Sequence, residues 1–192
     1  MVLAAIAAAT IFAGCARSQG ERLRVVDLLE HESSAEKRPV GGSFEIRELT
    51  CGGVSRTALA VPGSSRVIWP LPLPARGVLA AGAAVEGAPG ASVTFRVGIS
   101  DDRIYEGLQS IQVAADACGR AWVPLAVDLS LYGGIKFSIF YQPNRRTWRL
   151  VLATNPEQGH VVRAYWARPV VESDQAAAKE YFARVTRKDP RR

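Results

Sequence analysis

Short apolar segments separated by turn residues follow one another along the chain from residue 43 onward. Gly and Pro punctuate them every eight to twelve residues or so, a spacing typical of all-β sandwiches and barrels. Apolar and other residues alternate strictly over residues 93–99, which places Val93, Phe95, Val97 and Ile99 on one face of a strand. No helical pattern interrupts these segments, so parallel crossover units are excluded. We therefore predict an antiparallel jelly-roll β-sandwich of about ten strands over residues 41–171.

A short helical pattern precedes the strands. Leu23, Val26 and Leu29 have the spacing of one helix face, and the surrounding residues up to the first Gly-Gly pair are polar and charged. We predict a tether and a short helix within residues 15–40.

A second helical pattern follows the strands. Ser173 is a suitable N-cap, and Ala178, Phe182 and Val185 come after it at helical spacing. The last residues are mostly basic, and such a tail could contact anionic lipid or polysaccharide. The alternative interpretation is a frayed, solvated chain end. We predict a C-terminal helix and basic tail over residues 172–192.

The first fourteen residues predict an export signal. Residues 2–14 are uncharged and almost all apolar or small, too short a run to span a bilayer and typical of a signal peptide. Ala13-Gly14-Cys15 resembles a lipobox, in which the cysteine becomes a lipidated N-terminus. Phe12 stands where Leu is commonest, and no basic residue precedes the run. The alternative interpretation is an Ala-rich buried helix that ends in Cys15.

The remaining cysteines form an even pair. If Cys15 is lipidated, Cys51 and Cys118 are left, and an oxidising periplasm permits a disulfide between them. Two independent buried thiols are the alternative. A zinc site has too few ligands, since the chain has only two histidines and no Cys-x-x-Cys.

Composition and charge exclude some classes of protein. Hydrophobic residues make up 48% and charged residues 22%, so the chain is not disordered. The net charge of +6 comes mainly from arginine, with only four lysines. A nucleic-acid binder has such a bias, but so do proteins of GC-rich genomes. We expect no nucleic-acid partner.

Five stretches in fixed order resemble a known family. It is the jelly-roll, galactose-binding-like accessory domain found with bacterial sulfatase-type proteins, here without a catalytic domain. The resemblance covers about residues 24–171 and implies a jelly-roll fold. The segment at 143–149 lacks the acidic loop of that family, so no ligand or calcium preference is carried over. The stretches are VVDLL at 25–29, SRVIW at 65–69, VTFRV at 93–97, WVPLAVDLSLYGG at 122–134 and YWARP at 165–169.

The sequence offers little catalytic chemistry. A sulfatase nucleophile motif is absent, and its nearest counterpart at residues 72–76 has proline in place of the nucleophile. There is no Gly-rich phosphate loop and no Gly-x-Ser-x-Gly elbow. His160 follows a glycine at an expected turn and has no obvious orienting acid. We predict a protein that is not an enzyme and has neither a cofactor nor a metal.

One hairpin combines aromatic and donor side chains. Tyr141 and Trp148 flank Asn144, Arg145 and Arg146, so that a ring able to stack on a sugar lies beside guanidinium groups able to pair with a carboxylate or sulfate. These five residues are the candidate ligand site. A solvated hairpin tip is the alternative interpretation.

These observations predict a non-catalytic cell-envelope lipoprotein that binds a carbohydrate or envelope glycan. We expect it to be lipid-anchored, in the outer membrane and facing the periplasm, because Ala16 rather than Asp follows Cys15. The alternative is a structural or interaction subunit that docks on another envelope protein, such as a sulfatase or glycosyltransferase.

Overall fold

Two antiparallel β-sheets pack face to face, and a helix follows the last strand. The computed structural model describes residues 21–101, 103–133, 148–157 and 161–188. The apolar segment at residues 135–141, which has the composition of a further strand, lies outside this part of the chain. The elements are β1 (Arg22–Asp27), β2 (Glu36–Arg38), β3 (Glu45–Cys51), β4 (Val54–Pro62), β5 (Ser65–Trp69), β6 (Val78–Gly87), β7 (Ser92–Ser100), β8 (Tyr105–Ala114), β9 (Val123–Asp128), β10 (Arg149–Pro156), β11 (Val162–Asp174) and helix α1 (Gln175–Lys188), with 3-10 turns at Glu32–Ser34 and Ala115–Gly119.

The strand order defines the two sheets. Sheet A has the order β3-β4-β11-β6-β9, and β1 joins it by pairing with the second half of β11. Sheet B has the order β2-β5-β10-β7-β8. Every neighbouring pair is antiparallel, which confirms the predicted antiparallel sandwich.

The hydrophobic core lies between the two sheets and contains large aromatic side chains. Val93, Phe95, Val97 and Ile99 are all fully buried in it, as their alternation predicts. The ring of Phe95 meets that of Trp166 of sheet A edge to face, with the ring centroids 4.8 Å apart. Such pairs stabilise a core beyond the area that they bury.

The short N-terminal helix predicted within residues 15–40 is wrong. Residues 22–27 form β1, which pairs with β11 from Asp174 to Val170, and residues 36–38 form β2 at the edge of sheet B. The sandwich therefore spans residues 22–174 rather than 41–171. The physical reason is the length of β11: β4 covers only its first half, so backbone groups of its second half need another partner.

Helix α1 confirms the predicted C-terminal helix, but its cap lies one residue later than expected. The Ala177 amide donates to Oδ1 of Asp174 at 3.0 Å, whereas the buried Ser173 hydroxyl donates to the Ala75 carbonyl at 2.6 Å. Ala178 and Tyr181 pack against the core, and Phe182 stays 48% exposed. Among the described residues, no helix has the length and apolar character needed to cross a membrane.

Candidate functional site

Of the five residues of the predicted ligand hairpin, the structure describes only Trp148. Tyr141, Asn144, Arg145 and Arg146 lie outside the described residues. Trp148 is half-buried and packs against the core, and its ring meets that of Tyr132 edge to face at 5.4 Å. Burial, with a hydrogen bond to Glu106, raises the pKa of Tyr132 to about 12. Trp148 thus has a packing role, and sugar stacking by its exposed part stays a prediction.

Cys51 and Cys118 are joined by a disulfide. Their Cα atoms are 4.5 Å apart, so the bond links the tip of the β3–β4 hairpin to the connection between β8 and β9. Two hydrogen bonds support the link: the Gly52 amide donates to the Cys118 carbonyl at 2.9 Å, and the Trp122 indole donates to the Val54 carbonyl at 2.9 Å. A side chain at Gly52, whose φ is +56°, would clash with the Arg120 carbonyl. The connection is therefore held against the hairpin.

The outer face of sheet A is packed and covered by its own side chains. Tyr165 is fully buried there among small residues, and Trp122 is nearly so. The Arg47 guanidinium lies 4.9 Å from the centre of the Tyr165 ring. The Tyr165 hydroxyl lies between Arg47 and Glu86 and bonds to both. Burial first, and then Glu86, raises the pKa of this hydroxyl to about 12, so it stays protonated at neutral pH.

Positive charges on this face are largely compensated. Arg47 Nη2 lies 2.8 Å from Glu86 Oε2, and Arg163 Nη1 lies 3.6 Å from Glu45 Oε2. Arg56 lies over the Trp122 ring at 5.9 Å, where the absence of a side chain at Gly82 gives it room. Few of these groups are left for a ligand.

The outer face of sheet B differs, since its floor is apolar and flat. Ile68, Val151 and Ala153 point away from the core yet are almost fully buried. Gly98 continues this floor on β7. A Cβ on Gly98 would lie 2.6 Å from ring atoms of Tyr105, so this ring rests directly on the glycine. Glycine is therefore required where the Tyr105 ring meets the strand.

A polar cavity of about 220 Å³ opens over this floor. Tyr105 remains 43% exposed at its side, and the Arg66 guanidinium lies 5.6 Å from the Tyr105 ring centre. Among the described lining residues, arginine thus dominates the charged groups, with a single carboxylate. The lining residues are Glu36, Arg38, Arg66, Ile68, Ser100, Arg103, Ile104, Tyr105 and Arg149.

The cationic side chains of this face follow the strand register. Arg38 lies opposite Arg66, Arg66 opposite Ala153, and Ala153 opposite Arg96, which makes one row across four strands. We call Arg38, Arg66 and Arg96 the arginine row. Glu36 contacts Arg38 Nη2 at 2.5 Å and Arg149 Nη1 at 3.6 Å. Within the described part of the chain, neither Arg66 nor Arg96 has a carboxylate within 4.0 Å.

The sequence alone does not predict this site. A signal was present, because Arg96 occupies an outward position of the alternating segment at residues 93–99. Arg66 likewise stands between core residues Ser65 and Val67. Their alignment depends on the pairing of both strands with β10, and residues distant in sequence set that pairing.

A larger depression of about 610 Å³ lies at one end of the sandwich. Prolines and glycines make up half of its described lining, and Arg163 is the one charged residue among the described lining residues. It has few polar groups that could orient a ligand. Across residues 21–101, 103–133, 148–157 and 161–188, no group of three His, Cys, Asp or Glu side chains is placed to hold a metal ion.

No protein-family model matches the chain, and no curated protein matches it. The fold is similar to solved carbohydrate-binding modules. One is the CBM22-1 xylan-binding domain of Paenibacillus barcinonensis Xyn10C, with a TM-score of 0.42 and 14% identity over 72% of this chain and 84% of that one.

Two further structures are similar at comparable levels. The CBM22-1–GH10 modules of Clostridium thermocellum Xyn10B, complexed with xylohexaose, give a TM-score of 0.46 and 11% identity, over 81% of this chain but only 28% of that longer one. TmCBM61 in complex with β-1,4-galactotriose gives a TM-score of 0.43 and 9% identity over 79% and 99% of the two chains. The likeness is one of β-sandwich architecture, and the site described above rests on the geometry of this chain.

Proposed function

We propose that the protein is a non-catalytic module that binds a carbohydrate on the outer face of sheet B. The observation that carries this proposal is the position of Tyr105, which rests on Gly98 beside a cavity lined by guanidinium groups. An aromatic ring with an exposed face stacks on the apolar face of a sugar. Guanidinium forks supply donors to the oxygen atoms of the sugar.

A binding role is favoured over hydrolysis by the chemistry of the lining. Glycoside hydrolysis uses a pair of carboxylates flanking the bond that is cleaved. Among the described residues that line this cavity, Glu36 is the one carboxylate, and Arg38 and Arg149 both contact it. The floor of Ile68 and Val151 offers no acid or base.

We also propose that Cys15 carries a lipid anchor and that the module works in the cell envelope, at the periplasmic side of the outer membrane. The uncharged run at residues 2–14 and the small residues before Cys15 support this. The first strand, β1, begins at Arg22, so a short segment of the chain separates Cys15 from the sandwich.

A panel of immobilised neutral and acidic glycans tests carbohydrate binding by the detergent-solubilised full-length protein. The discriminating variant is Tyr105→Ala, which removes the stacking ring. Phe182→Ala is the control, because Phe182 is comparably exposed but lies on α1. We expect Tyr105→Ala to weaken binding about tenfold, equivalent to about 1.4 kcal/mol, and Phe182→Ala to leave it unchanged. Absence of binding to every glycan, or equal effects of the two variants, contradicts the proposal.

A further inference from the structure

We infer that the outer face of sheet B selects an acidic polysaccharide, whose carboxylate or sulfate groups bind to Arg66 and Arg96. This inference rests on the proposed carbohydrate-binding function and names the chemical class of its ligand. It requires that the two arginine side chains lie on the same face of the sheet and have no carboxylate partner among the described residues. It also requires a distance between them that suits two anionic groups of one polymer.

The strand register meets the geometric requirement. Arg66 and Arg96 both lie opposite Ala153, one on each side of β10, so they share the outer face. Their Cα atoms are two strand spacings apart, about 10 Å. The side chain between them in the register is the buried methyl group of Ala153, and both arginines are exposed. Two anionic groups on successive parts of one chain fit this arrangement better than a single small ion does.

Electrostatics supports the same conclusion. Like charges directly opposite one another destabilise a sheet, yet Arg38 and Arg66 are cross-strand neighbours. Glu36 binds Arg38, which leaves Arg66 and Arg96 without a carboxylate among the described residues. On sheet A, by contrast, Arg47 is paired with Glu86. An anionic ligand would supply the negative charge that the described residues do not place beside Arg66 and Arg96.

Arg66 is also oriented before a ligand arrives. Its guanidinium lies over the Tyr105 ring, which itself rests on Gly98. A planar fork held in this way forms paired hydrogen bonds to a carboxylate or sulfate at a small further cost in side-chain entropy. The ring and the fork together match a sugar that carries an acidic substituent.

A nucleic acid is the other polyanion that such a face could attract. Proteins that bind single strands combine basic grooves with several aromatic side chains on which successive bases stack. Among the described residues that line the cavity, Tyr105 is the one aromatic residue. The structure therefore favours the polysaccharide, and an oligonucleotide serves as a competing probe.

The test compares Arg66→Gln and Arg96→Gln with the matched control Arg120→Gln. All three variants remove one positive charge, but Arg120 is exposed in the β8–β9 connection, away from the sheet-B face. The probes are heparin for sulfate groups, polygalacturonate for carboxylate groups, neutral dextran and xylan, and a single-stranded DNA oligonucleotide. Dissociation constants are measured by calorimetry at low and high salt on variants whose melting temperatures match that of the wild type.

We expect heparin or polygalacturonate to bind at least tenfold more tightly than dextran or xylan, with affinity falling as salt rises. Arg66→Gln and Arg96→Gln should each weaken this binding about tenfold, and Arg120→Gln less than twofold. Tight binding of only one acidic polymer identifies its anionic group as the one recognised.

Two outcomes overturn the inference. In the first, neutral polymers bind as tightly as acidic ones, and binding is weakened by Tyr105→Ala but not by Arg96→Gln. The acidic class of ligand is then wrong, while carbohydrate binding stands. If the oligonucleotide binds more tightly than every polysaccharide, both the inference and the proposed function fail.

Discussion

At the scale of single residues, two neighbouring glycines differ in what surrounds them. Gly98 and Gly107 lie opposite each other on β7 and β8. A Cβ on Gly98 would come within 2.6 Å of both the Glu106 carbonyl oxygen and the Tyr105 ring. A Cβ on Gly107 would meet only a ring atom of Tyr105, at an ordinary 3.8 Å. Gly98 alone is therefore needed to seat the ring.

We expect Gly98→Ala to lower the free energy of unfolding by about 1–3 kcal/mol, because the new methyl group overlaps backbone that cannot move freely. It should also weaken glycan binding by displacing Tyr105. Gly107→Ala is the matched control and should change the stability by less than about 1 kcal/mol. Urea denaturation of the three proteins measures the difference. Equal stability of the two variants would show that Gly98 has no special role.

At the scale of elements, the disulfide connects parts of the chain that belong to different strands. It joins Cys51 and Cys118, 67 residues apart, and so fixes the β8–β9 connection to the β3–β4 hairpin. A long closed loop removes much conformational entropy from the unfolded chain. The bond should thus contribute substantially to the stability of the sandwich.

The Cys51→Ala/Cys118→Ala double variant tests this contribution. We expect its free energy of unfolding to be about 2–4 kcal/mol lower than that of the wild type under oxidising conditions. A reductant should lower the stability of the wild type towards the same value and leave the double variant unchanged. A wild type whose urea midpoint does not respond to the reductant would contradict the prediction.

The start of α1 depends on one carboxylate. Asp174 accepts a hydrogen bond from the Ala177 amide and forms an ion pair with Arg76, in which Nε of Arg76 lies 2.5 Å from Oδ2 of Asp174. The hydrogen bond from Ala177 is the main cause, and Arg76 a further one, of the lowered pKa of Asp174. A carboxyl group with a lowered pKa in the folded state stabilises the protein above its unfolded pKa, about 3.9, and loses this effect as the pH falls.

Two variants at this position separate the cap from the charge. Asp174→Ala removes both and should cost about 1 kcal/mol at pH 7. Asp174→Asn keeps an oxygen that can cap the helix, so its smaller deficit should shrink as the pH falls through the lowered pKa of Asp174 and the wild-type carboxyl becomes protonated. Stability curves at pH 7 and at acid pH measure this. A deficit of Asp174→Asn that stays constant with pH would exclude an electrostatic role.

At the scale of the whole molecule, a local sequence pattern predicts which side chains of a strand face the core. Strand pairing depends instead on residues that are far apart in the sequence. The alternation of Val93, Phe95 and Val97 was sufficient to predict their burial. The helix predicted at residues 22–27 is a strand instead. Leu23, Val26 and Leu29 fit a helical period, and the sequence does not show that β11 needs a strand partner there. Arg66 and Arg96 were overlooked for the same reason, since only the register brings them together.

The proposed lipid anchor predicts how the whole protein is distributed in the cell. Cys15→Ser removes the only sulfur that can be acylated at the predicted processing site, so the protein should leave the membrane fraction or accumulate unprocessed. Ser18→Ala, three residues later, is the control and should not alter fractionation. Fractionation with mass spectrometry of the N-terminal peptide measures both. An unmodified N-terminal segment in the wild type would contradict the anchor.

The strand order also bears on when the protein can fold during its synthesis. Of the strands described, the last two to leave the ribosome, β10 and β11, lie inside the sheets: β10 between β5 and β7, and β11 between β4 and β6. A nascent chain that ends before Arg149 can form separate hairpins, but it lacks the strands that join them. Assembly of the sandwich therefore waits until β11 has been synthesised. A sandwich that stays open until β11 emerges is well suited to passage through a secretion channel before it folds.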